Sequence, residues 1–475
     1  MRAPAHADEQ SVRKRDSEYL GRLTALLQSE LDFHNLPTGD ATHSFHAFPA
    51  KFPPQLARLF VDELTAPSEV VLDPMMGSGT TIIEAFLAER QAKGFDIDPL
   101  ACLQSRVKTS PLHPTETLQQ GFAVLNRAKK LLTRDSKGLE QRLAARFGDK
   151  TRDFVDYWFA KETQIELQAL LEEIENVPCE ETRSFLLLVF SAIIITKSGG
   201  VSYALDLAHT RPHRAKLVYG PSGKILFDEM SDTISNHRAR FLTKKLRSPV
   251  DEFQRRLEQN VQGLRDLPKS HQKPIVKEAD AQALPLEDNC IDLIVTSPPY
   301  ASNAIDYMRS HKFALAWMGH AIESLSMLRS TYIGSDATAG FTFEDLPPNT
   351  RQTVSRLAGL DARKSTVLHR YYSEMTRVLK EMFRILRPGK AAILVVGSSV
   401  MRGMDTRTQY CLSDIGRSLG FEVPPFGVRR LDRNRRMMPV SSRRDANSPI
   451  QQRMHEEYVI GFCKPETGER SNDAG

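Results

Sequence analysis

Short apolar runs that end in glycine, proline or acidic residues recur along the chain, and longer amphipathic stretches lie between them. Runs of this kind are typical of strands in a mostly parallel sheet, and the stretches are typical of the helices that cover it. The last run is the candidate for an antiparallel edge strand. The pattern predicts five strands, at residues 69–73, 92–96, 291–296, 391–396 and 457–463.

Helical spacing of apolar residues dominates the middle of the chain and also marks residues 12–31 as an amphipathic helix. We therefore expect an α/β domain in two parts that a large, mainly helical insertion separates. The predicted divisions are a helical arm at 1–40, domain parts at 41–106 and 275–465, the insertion at 107–274 and a disordered tail at 466–475. The insertion is predicted to contain helices at 115–133, 138–147, 150–159, 161–176, 181–197 and 250–265.

A glycine-bearing turn follows the first predicted strand, and an acidic residue ends the second. Gly77 and Gly79 have no side chains where backbone must approach a ligand, and Asp73 lies at the carboxyl end of its strand. Asp96 follows Gly79 by 17 positions. That is close to the spacing at which an acidic residue reaches a ribose hydroxyl in nucleotide-binding βαβ units. No Gly-Lys-Ser/Thr sequence is present in this turn to favour ATP.

A second motif, Thr-Ser-Pro-Pro-Tyr at 296–300, comes directly after the apolar run that precedes it. The two prolines cannot continue a sheet ladder, so the chain leaves the strand in a stiff extended turn. The turn offers the hydroxyl of Ser297, the carbonyl of Pro298 and the aromatic face of Tyr300. These groups are suited to holding a flat base that bears an exocyclic amine. The simpler alternative is an ordinary proline-rich exit from a strand.

The two motifs together resemble a known family. Asp-Pro-Met-Met-Gly-Ser-Gly-Thr-Thr at 73–81 is similar to the S-adenosylmethionine motif of the amino-methyltransferases that modify DNA. Thr-Ser-Pro-Pro-Tyr is similar to their catalytic motif, in the form typical of cytosine-N4 enzymes. The segments 48–55, 278–285 and 383–397 resemble further elements of this family. All matches fall within 43–106, 275–320 and 370–463.

The resemblance implies a Rossmann-like methyltransferase sheet, S-adenosyl-L-methionine as cofactor and no metal. It implies direct transfer of the methyl group to the amine of a base that is flipped out of double-stranded DNA. The implied catalytic residues are Ser297, Pro298, Pro299 and Tyr300. The implied cofactor-binding residues are Lys51, Asp73, Gly77, Gly79, Thr80, Asp96 and Asp280.

Two departures from the family pattern leave alternatives open. The cofactor motif precedes the catalytic motif, and the long insertion at 107–274 separates the two parts of the domain. The family pattern therefore does not locate the target-recognition region, for which the insertion is one candidate. An adenine-N6 enzyme uses nearly the same motif, although it more often has Asp or Asn where this chain has Ser297. An RNA or protein N-methyltransferase and a catalytically silent DNA-binding regulator are the other two alternatives.

The distribution of charge predicts where the protein contacts DNA. The formal net charge is +5, but seven arginines cluster near the end of the chain, and we predict a DNA-facing loop there. They are Arg429, Arg430, Arg433, Arg435, Arg436, Arg443 and Arg444. For the basic residues of 238–247, with apolar residues at helical spacing, a solvated helix face is favoured. A cognate restriction endonuclease or defence system is a further possible partner.

Five scattered cysteines without Cys-x-x-Cys spacing fit a reducing cytoplasm and no zinc site. The longest apolar stretch, 185–195, is too short to span a bilayer, and no signal peptide is recognisable. We therefore expect a soluble, cytoplasmic protein.

Overall fold

The computed structural model describes residues 18–49, 51–207, 212–231, 236–268, 272–301, 306–397, 399–431 and 456–466. The strands in these ranges are β1 (Val70–Asp73), β2 (Gln91–Asp96), β3 (Leu217–Tyr219), β4 (Ile225–Asp228), β5 (Thr243–Lys245), β6 (Ile275–Glu278), β7 (Ile291–Thr296), β8 (Leu386–Gly397), β9 (Val400–Met401), β10 (Met404–Asp405), β11 (Gly427–Arg430) and β12 (Glu456–Cys463).

The helices begin with α1 at residues 18–28. They continue with α2 (Pro54–Leu64), α3 (Thr80–Leu87), α4 (Pro99–Lys108), α5 (Pro114–Arg134), α6 (Ser136–Arg146), α7 (Asp149–Trp158), α8 (Lys161–Glu175), α9 (Glu180–Ile194), α10 (Asn236–Phe241), α11 (Pro249–Gly263), α12 (Met308–Leu315), α13 (Ile322–Ser330), α14 (Pro348–Ala358), α15 (Ala362–Ile385) and α16 (Thr408–Ser418). A 3-10 turn follows α11 at Leu264–Asp266.

Within the described residues, seven strands form the central sheet in the order β11-β12-β8-β7-β1-β2-β6. The neighbours from β8 to β6 are all parallel, and β12 runs antiparallel to both β8 and β11. All five predicted strands are present, and the antiparallel direction of the last one is confirmed. Its place at the edge is wrong, because β11 pairs with its outer side. The pattern also missed β6 at the opposite edge.

Strands β1 and β7 are buried along their whole length because helices cover both faces of the sheet. Every residue of β1 and of β7 is buried. Val71 and Leu293 pack on the face that α1 and α2 cover, whereas Leu72 and Ile294 pack on the face that α15 and α16 cover. Successive side chains of a strand point to opposite faces, so a continuous apolar run fills both layers.

The N-terminal arm is helical in its described part and is not separate from the domain. Leu23 and Leu27 of α1 are fully buried and lie within contact distance of the position that a side chain on Gly461 would occupy. A side chain at Gly461 would meet these leucines, so α1 approaches the backbone of β12 closely. Residues 12–17, which belong to the predicted amphipathic stretch, lie outside the described residues.

The insertion is mainly helical, as predicted, and its six predicted helices match α5 to α9 and α11 within three residues at each end. These helices share one apolar core with α12. The small sheet β4-β3-β5 was not predicted. The prediction of one solvated helix face at 238–247 is also wrong, because α10 ends at Phe241 and β5 follows. Phe241 is 68% exposed and does not anchor a helix.

Three neighbouring strands, β7, β1 and β2, end at the same edge of the sheet. Open parallel sheets bind ligands outside the carboxyl ends of their strands. The fold therefore brings the glycine turn, the acidic end of β2 and the Ser-Pro-Pro-Tyr segment to one place. In the part of the chain that the structure describes, no helix combines the length and apolarity needed to cross a membrane.

Candidate active site

A cavity opens at this edge, with an empty volume of about 1080 Å³ that includes the space open to solvent at its mouth. Its volume is in the range of sites that take a drug-sized ligand, once the open mouth is discounted. Gly79 is the one predicted cofactor residue that does not line it. The predicted residues that do are Lys51, Asp73, Gly77, Thr80, Asp96, Asp280, Ser297, Pro298, Pro299 and Tyr300.

Asp73, the last residue of β1, lies almost fully buried at the base of the cavity. Its Oδ1 accepts the backbone N–H of Met75 at 3.1 Å. Burial raises the pKa of this carboxyl group to about 7, and nearby hydrogen-bond donors only partly offset the effect. Asp73 is thus a carboxylate that a cationic ligand group would stabilise in its charged form.

Asp96 ties the end of β2 to the glycine turn. Its Oδ2 accepts the N–H of Gly77 and its Oδ1 accepts the N–H of Asp98, each at 2.9 Å. Burial and the neighbouring charge of Asp98 raise the pKa of Asp96 to about 6. Gly77 has a φ of +46°, and a Cβ there would lie 3.0 Å from the ring of Phe48. The turn is therefore closely packed between Asp96 and Phe48.

Gly79 has a packing role that the sequence did not suggest. Its φ is +79°, and a Cβ at this position would lie 2.6 Å from Oγ of Ser105 on α4. The glycine is needed because two elements approach each other closely and because its backbone is left-handed. Thr80, the next residue, does line the cavity, and its Oγ1 lies 3.0 Å from Oγ of Ser78.

Asp98 shapes the turn into α4. Its Oδ1 accepts the backbone N–H groups of Leu100 and Ala101, which makes it the N-cap of the helix. Its other oxygen, Oδ2, lies 2.7 Å from Nδ1 of His311 and accepts the hydroxyl of Tyr332 at 2.7 Å. Burial acts to raise the pKa of Asp98, but His311 and these hydrogen bonds hold it below its ordinary value.

Lys51 and Asp280 approach the cavity from two other sides. The Nζ of Lys51 donates to the carbonyl oxygen of His43 at 2.9 Å, and burial lowers the pKa of this ammonium group. Asp280 follows β6 and is exposed; its Oδ1 accepts the backbone N–H of Gln282 at 2.9 Å. Both side chains line the cavity, as their predicted cofactor role requires.

The Ser-Pro-Pro-Tyr segment lines the same cavity as the glycine turn. Ser297 and Pro299 are half-buried, and Pro298 is buried. Tyr300 is only 8% exposed, and its hydroxyl donates to Oε1 of Glu457 at 3.1 Å. Burial raises the pKa of Tyr300 well above its ordinary value, so the phenol stays neutral. The link to Glu457 fixes the orientation of an aromatic ring at the cavity wall.

The arginine cluster begins in a strand and not in the predicted loop. Arg429 and Arg430 belong to β11. Arg429 forms a largely buried ion pair with Glu457, the same residue that binds Tyr300. Arg430 is exposed, and its backbone N–H donates to Asp32 at 2.6 Å. The remaining predicted DNA-binding arginines lie outside the described residues: Arg433, Arg435, Arg436, Arg443 and Arg444.

Sequence reasoning missed much of the aromatic wall. Phe48 stacks on Tyr307 with ring centroids 4.8 Å apart, and His311 and Tyr332 complete this side. Tyr307 lines the cavity as well. The signal for Phe48 was its place in the segment 48–55. No local signal marks His311 or Tyr332.

The donors and surfaces of the cavity fit a nucleoside that carries an amino acid. Asp73, Asp96 and Asp280 offer carboxylates to ammonium, hydroxyl and amine groups, while Met75, Ile97 and Ala281 are among the apolar lining residues. The Nε2 atom of His311 is buried without a hydrogen-bond partner in the described structure. A polar ligand of this kind would satisfy such an atom.

Comparison with known proteins shows similarity to enzymes that methylate DNA. Residues 8–106 match the protein family described as DNA methylase. The findings support the DNA amino-methyltransferase family. The chain is 22% identical over 405 residues to "Type II methyltransferase M.MvaI" of Kocuria varians, covering 81% of this chain and 83% of that protein. It is 24% identical over 391 residues to "Type II methyltransferase M.AvaI" of Nostoc sp., covering 75% and 73%.

A solved SAM-dependent methyltransferase from Methanosarcina mazei covers 86% of this chain and 98% of its own, with 10% identity and a TM-score of 0.30. At this TM-score the likeness bears on neither fold nor function. The family match does bear on the cavity. For an amino-methyltransferase with this cavity, the cofactor is S-adenosyl-L-methionine, and the carboxylates described above are the groups available to hold it.

The contacts that join Tyr300, Glu457 and Arg429 lead to a prediction about stability. Replacing Glu457 by alanine is expected to lower the free energy of unfolding by about 3 kcal/mol, because it leaves a buried guanidinium group without its counter-charge. Urea denaturation measures the change. The matched Tyr300→Phe variant removes only a hydroxyl and should cost about 1 kcal/mol. If both variants lost the same free energy of unfolding, the ion pair between Glu457 and Arg429 would not be the larger contribution.

Proposed function

We propose that this protein transfers a methyl group from S-adenosyl-L-methionine to the N4 amine of cytosine in DNA. One observation carries the proposal: Ser297, Pro298 and Tyr300 line the same cavity as Asp73 and Asp96. A base held by the first group would therefore meet a cofactor held by the second. DNA as the substrate is supported by the family match and by relatives that are named type II methyltransferases.

Ser297 and Pro298 would act on the electrons of the target amine. The lone pair of an aromatic amine is delocalised into the ring and is a poor nucleophile. When Oγ of Ser297 and the carbonyl oxygen of Pro298 accept its two N–H groups, the nitrogen can become pyramidal and aim its lone pair outward. On methylation the amine would lose one proton, to water or through Oγ of Ser297, and the methyl donor would be left as a thioether. Catalysis then consists of positioning and preorganised hydrogen bonds, and no covalent bond to the protein is required.

Tyr300 would stack on the base, which must leave the duplex to enter the cavity. Stacking needs a ring of fixed orientation, and the hydrogen bond from Tyr300 to Glu457 supplies it. Because the phenol stays neutral, the ring presents an uncharged face to the base. Pro299 would keep the extended turn stiff, so that Ser297 and Tyr300 stay on the same side of the base.

The cofactor, when bound, supplies an electrophilic methyl group on a sulfonium. Asp73 would hold the methionine end, where an ammonium group would favour the ionised carboxylate. Asp96 would take ribose hydroxyls and Asp280 the amine of adenine. Gly77 would let the backbone approach, and Lys51 would lie near the methionine end.

Cytosine is preferred over adenine because of the residue at position 297. Serine offers one short hydroxyl, whereas enzymes that modify adenine N6 more often have Asp or Asn there. The proposal also includes partners. Arg430 and the arginines between 433 and 444 would contact the DNA backbone. In a defence system, a cognate restriction endonuclease would cleave the same sequence wherever it lacks the methyl group.

Purified protein incubated with methyl-labelled S-adenosyl-L-methionine and unmethylated genomic DNA tests the proposal. The DNA is digested to nucleosides, and the labelled nucleoside is identified by mass spectrometry. Label in N4-methylcytosine that Ser297→Ala loses is the expected result. Label in N6-methyladenine would overturn the choice of base but keep the site. No labelled nucleoside, with the cofactor still bound, would overturn DNA as the substrate.

A further inference from the structure

His311 is a buried histidine of the cavity wall that the proposed reaction does not use. It lies on α12, the first described helix after the Ser-Pro-Pro-Tyr segment, and is 1% exposed. One ring nitrogen, Nδ1, lies 2.7 Å from Oδ2 of Asp98. The other, Nε2, is buried without a hydrogen-bond partner among the described residues. Buried polar atoms are rarely left in this state, so the unpartnered nitrogen requires an explanation.

The surroundings of the ring fix which nitrogen carries a hydrogen. Asp98 already receives the hydroxyl of Tyr332 and backbone N–H groups, and its carboxyl group is held in the ionised form. An ionised carboxylate only accepts hydrogen bonds, so Nδ1 of His311 must be the donor. Phe48 and Tyr307 pack against the imidazole with ring centroids 5.7 and 6.0 Å away. The ring is thereby held from several sides, and only Nε2 remains to bind a ligand.

The charges around His311 select the kind of group that it can bind. Asp98 touches the ring, and Asp96 is near enough for His311 to influence its pKa. Two carboxylates on this wall disfavour a ligand carboxylate at the same place. A hydroxyl group suits it better, because a hydroxyl can donate to a bare Nε2 and can accept from a protonated one. The ribose of the cofactor has two adjacent hydroxyls, so it can meet the carboxylate of Asp96 and Nε2 of His311 at the same time.

We propose that His311 is a cofactor-binding residue whose Nε2 hydrogen-bonds a ribose hydroxyl of S-adenosyl-L-methionine. Asp98 and Tyr332 are positioning residues that hold the imidazole in the required tautomer. The proposal rests on the cofactor and not on the identity of the methylated base. It also links the cofactor to the loop after α13, since Tyr332 is part of that loop.

Binding of S-adenosylhomocysteine to the full-length protein, measured by calorimetry, tests this role without any turnover. His311→Asn keeps an N–H that can reach Asp98 but removes Nε2. It should weaken binding about tenfold, which corresponds to about 1.4 kcal/mol for one hydrogen bond. His311→Gln places an amide near the position of Nε2 and should weaken it less. Tyr332→Phe removes only the positioning bond and serves as a variant that keeps the cavity filled.

Analogues that lack one ribose hydroxyl give the decisive comparison. The affinity difference between wild-type protein and His311→Asn should disappear with one of two analogues of S-adenosylhomocysteine, the 2′-deoxy or the 3′-deoxy form, whichever lacks the hydroxyl that Nε2 binds. A tenfold loss that persists with both analogues would overturn the proposal. So would a loss that disappears with 5′-methylthioadenosine, which lacks the amino acid end. Wild-type protein that binds no S-adenosylhomocysteine would refute the cofactor itself, whereas absence of N4-methylcytosine alone would leave this result standing.

Discussion

Replacing Ser297 by alanine is expected to reduce methyl transfer about 100- to 1,000-fold, the usual effect of removing one preorganised hydrogen-bond partner from a reaction site. The hydroxyl would accept a hydrogen from the amine as its nitrogen becomes pyramidal, so its contribution is greatest in the transition state. The affinity for S-adenosylhomocysteine should stay within about twofold of wild type, because cofactor binding is assigned to other walls of the cavity. Single-turnover rates with labelled cofactor measure the effect.

Ser78 offers a matched control. It is a second serine that lines the cavity, but it lies in the glycine turn and its hydroxyl is close to Thr80. Ser78→Ala should leave the single-turnover rate within about threefold of wild type, as expected when no transition-state contact is removed. If both alanine variants slowed the reaction equally, the special role of Ser297 would be contradicted. A slow Ser297→Ala variant with equally weakened cofactor binding would indicate a general disturbance of the cavity.

The central sheet was predictable because strands that are buried on both faces consist mostly of apolar residues. Strands β1 and β7 are rich in apolar residues, with Asp292 as an exception inside β7, and each ends in a chemically unusual turn. Strand β11 was not predictable in this way. It is short and rich in arginine, and its place depends on pairing with β12 and on the ion pair between Arg429 and Glu457. Pairing across the sheet overrode the local preference for an exposed loop.

The same distinction applies to the site. Asp73, Asp96 and Ser297 were predictable because each ends a strand whose carboxyl end must lie at the ligand edge. His311 and Tyr332 were not, since they meet Asp98 only after the chain has folded back over a very long separation. Gly79 shows a further limit. A glycine that approaches a ligand and one that approaches Ser105 look identical in a sequence, and only the position of α4 distinguishes them.

Asp73 gives the prediction with the largest expected effect on stability. Its pKa rises from an ordinary value near 3.8 to about 7 on folding. The folded state therefore binds more protons than the unfolded state between about pH 4 and pH 7, and the free energy of unfolding falls as the pH rises through this window. Asp96, with a pKa of about 6, contributes in the same direction between about pH 4 and pH 6. The cofactor-free protein should thus be less stable at pH 8 than at pH 5.

Asp73→Asn removes the buried charge but keeps an oxygen that can accept the N–H of Met75. At pH 8 the cofactor-free variant should be more stable than wild type by up to about 4 kcal/mol, the equivalent of a three-unit difference in pKa. Near pH 4 this advantage should vanish, because Asp73 is protonated in the folded state. Urea denaturation at several pH values measures both differences, and Asp280→Asn, a change at an exposed carboxylate of the same cavity, is the control. An advantage that is equal at pH 4 and pH 8 would show that Asp73 is not the group responsible.

The stabilised variant should bind S-adenosylhomocysteine at least tenfold more weakly, since a charged contact of about 1.5–3 kcal/mol to the ammonium group is lost. Greater stability together with weaker binding would mean that Asp73 destabilises the cofactor-free protein and is retained because it binds the cofactor.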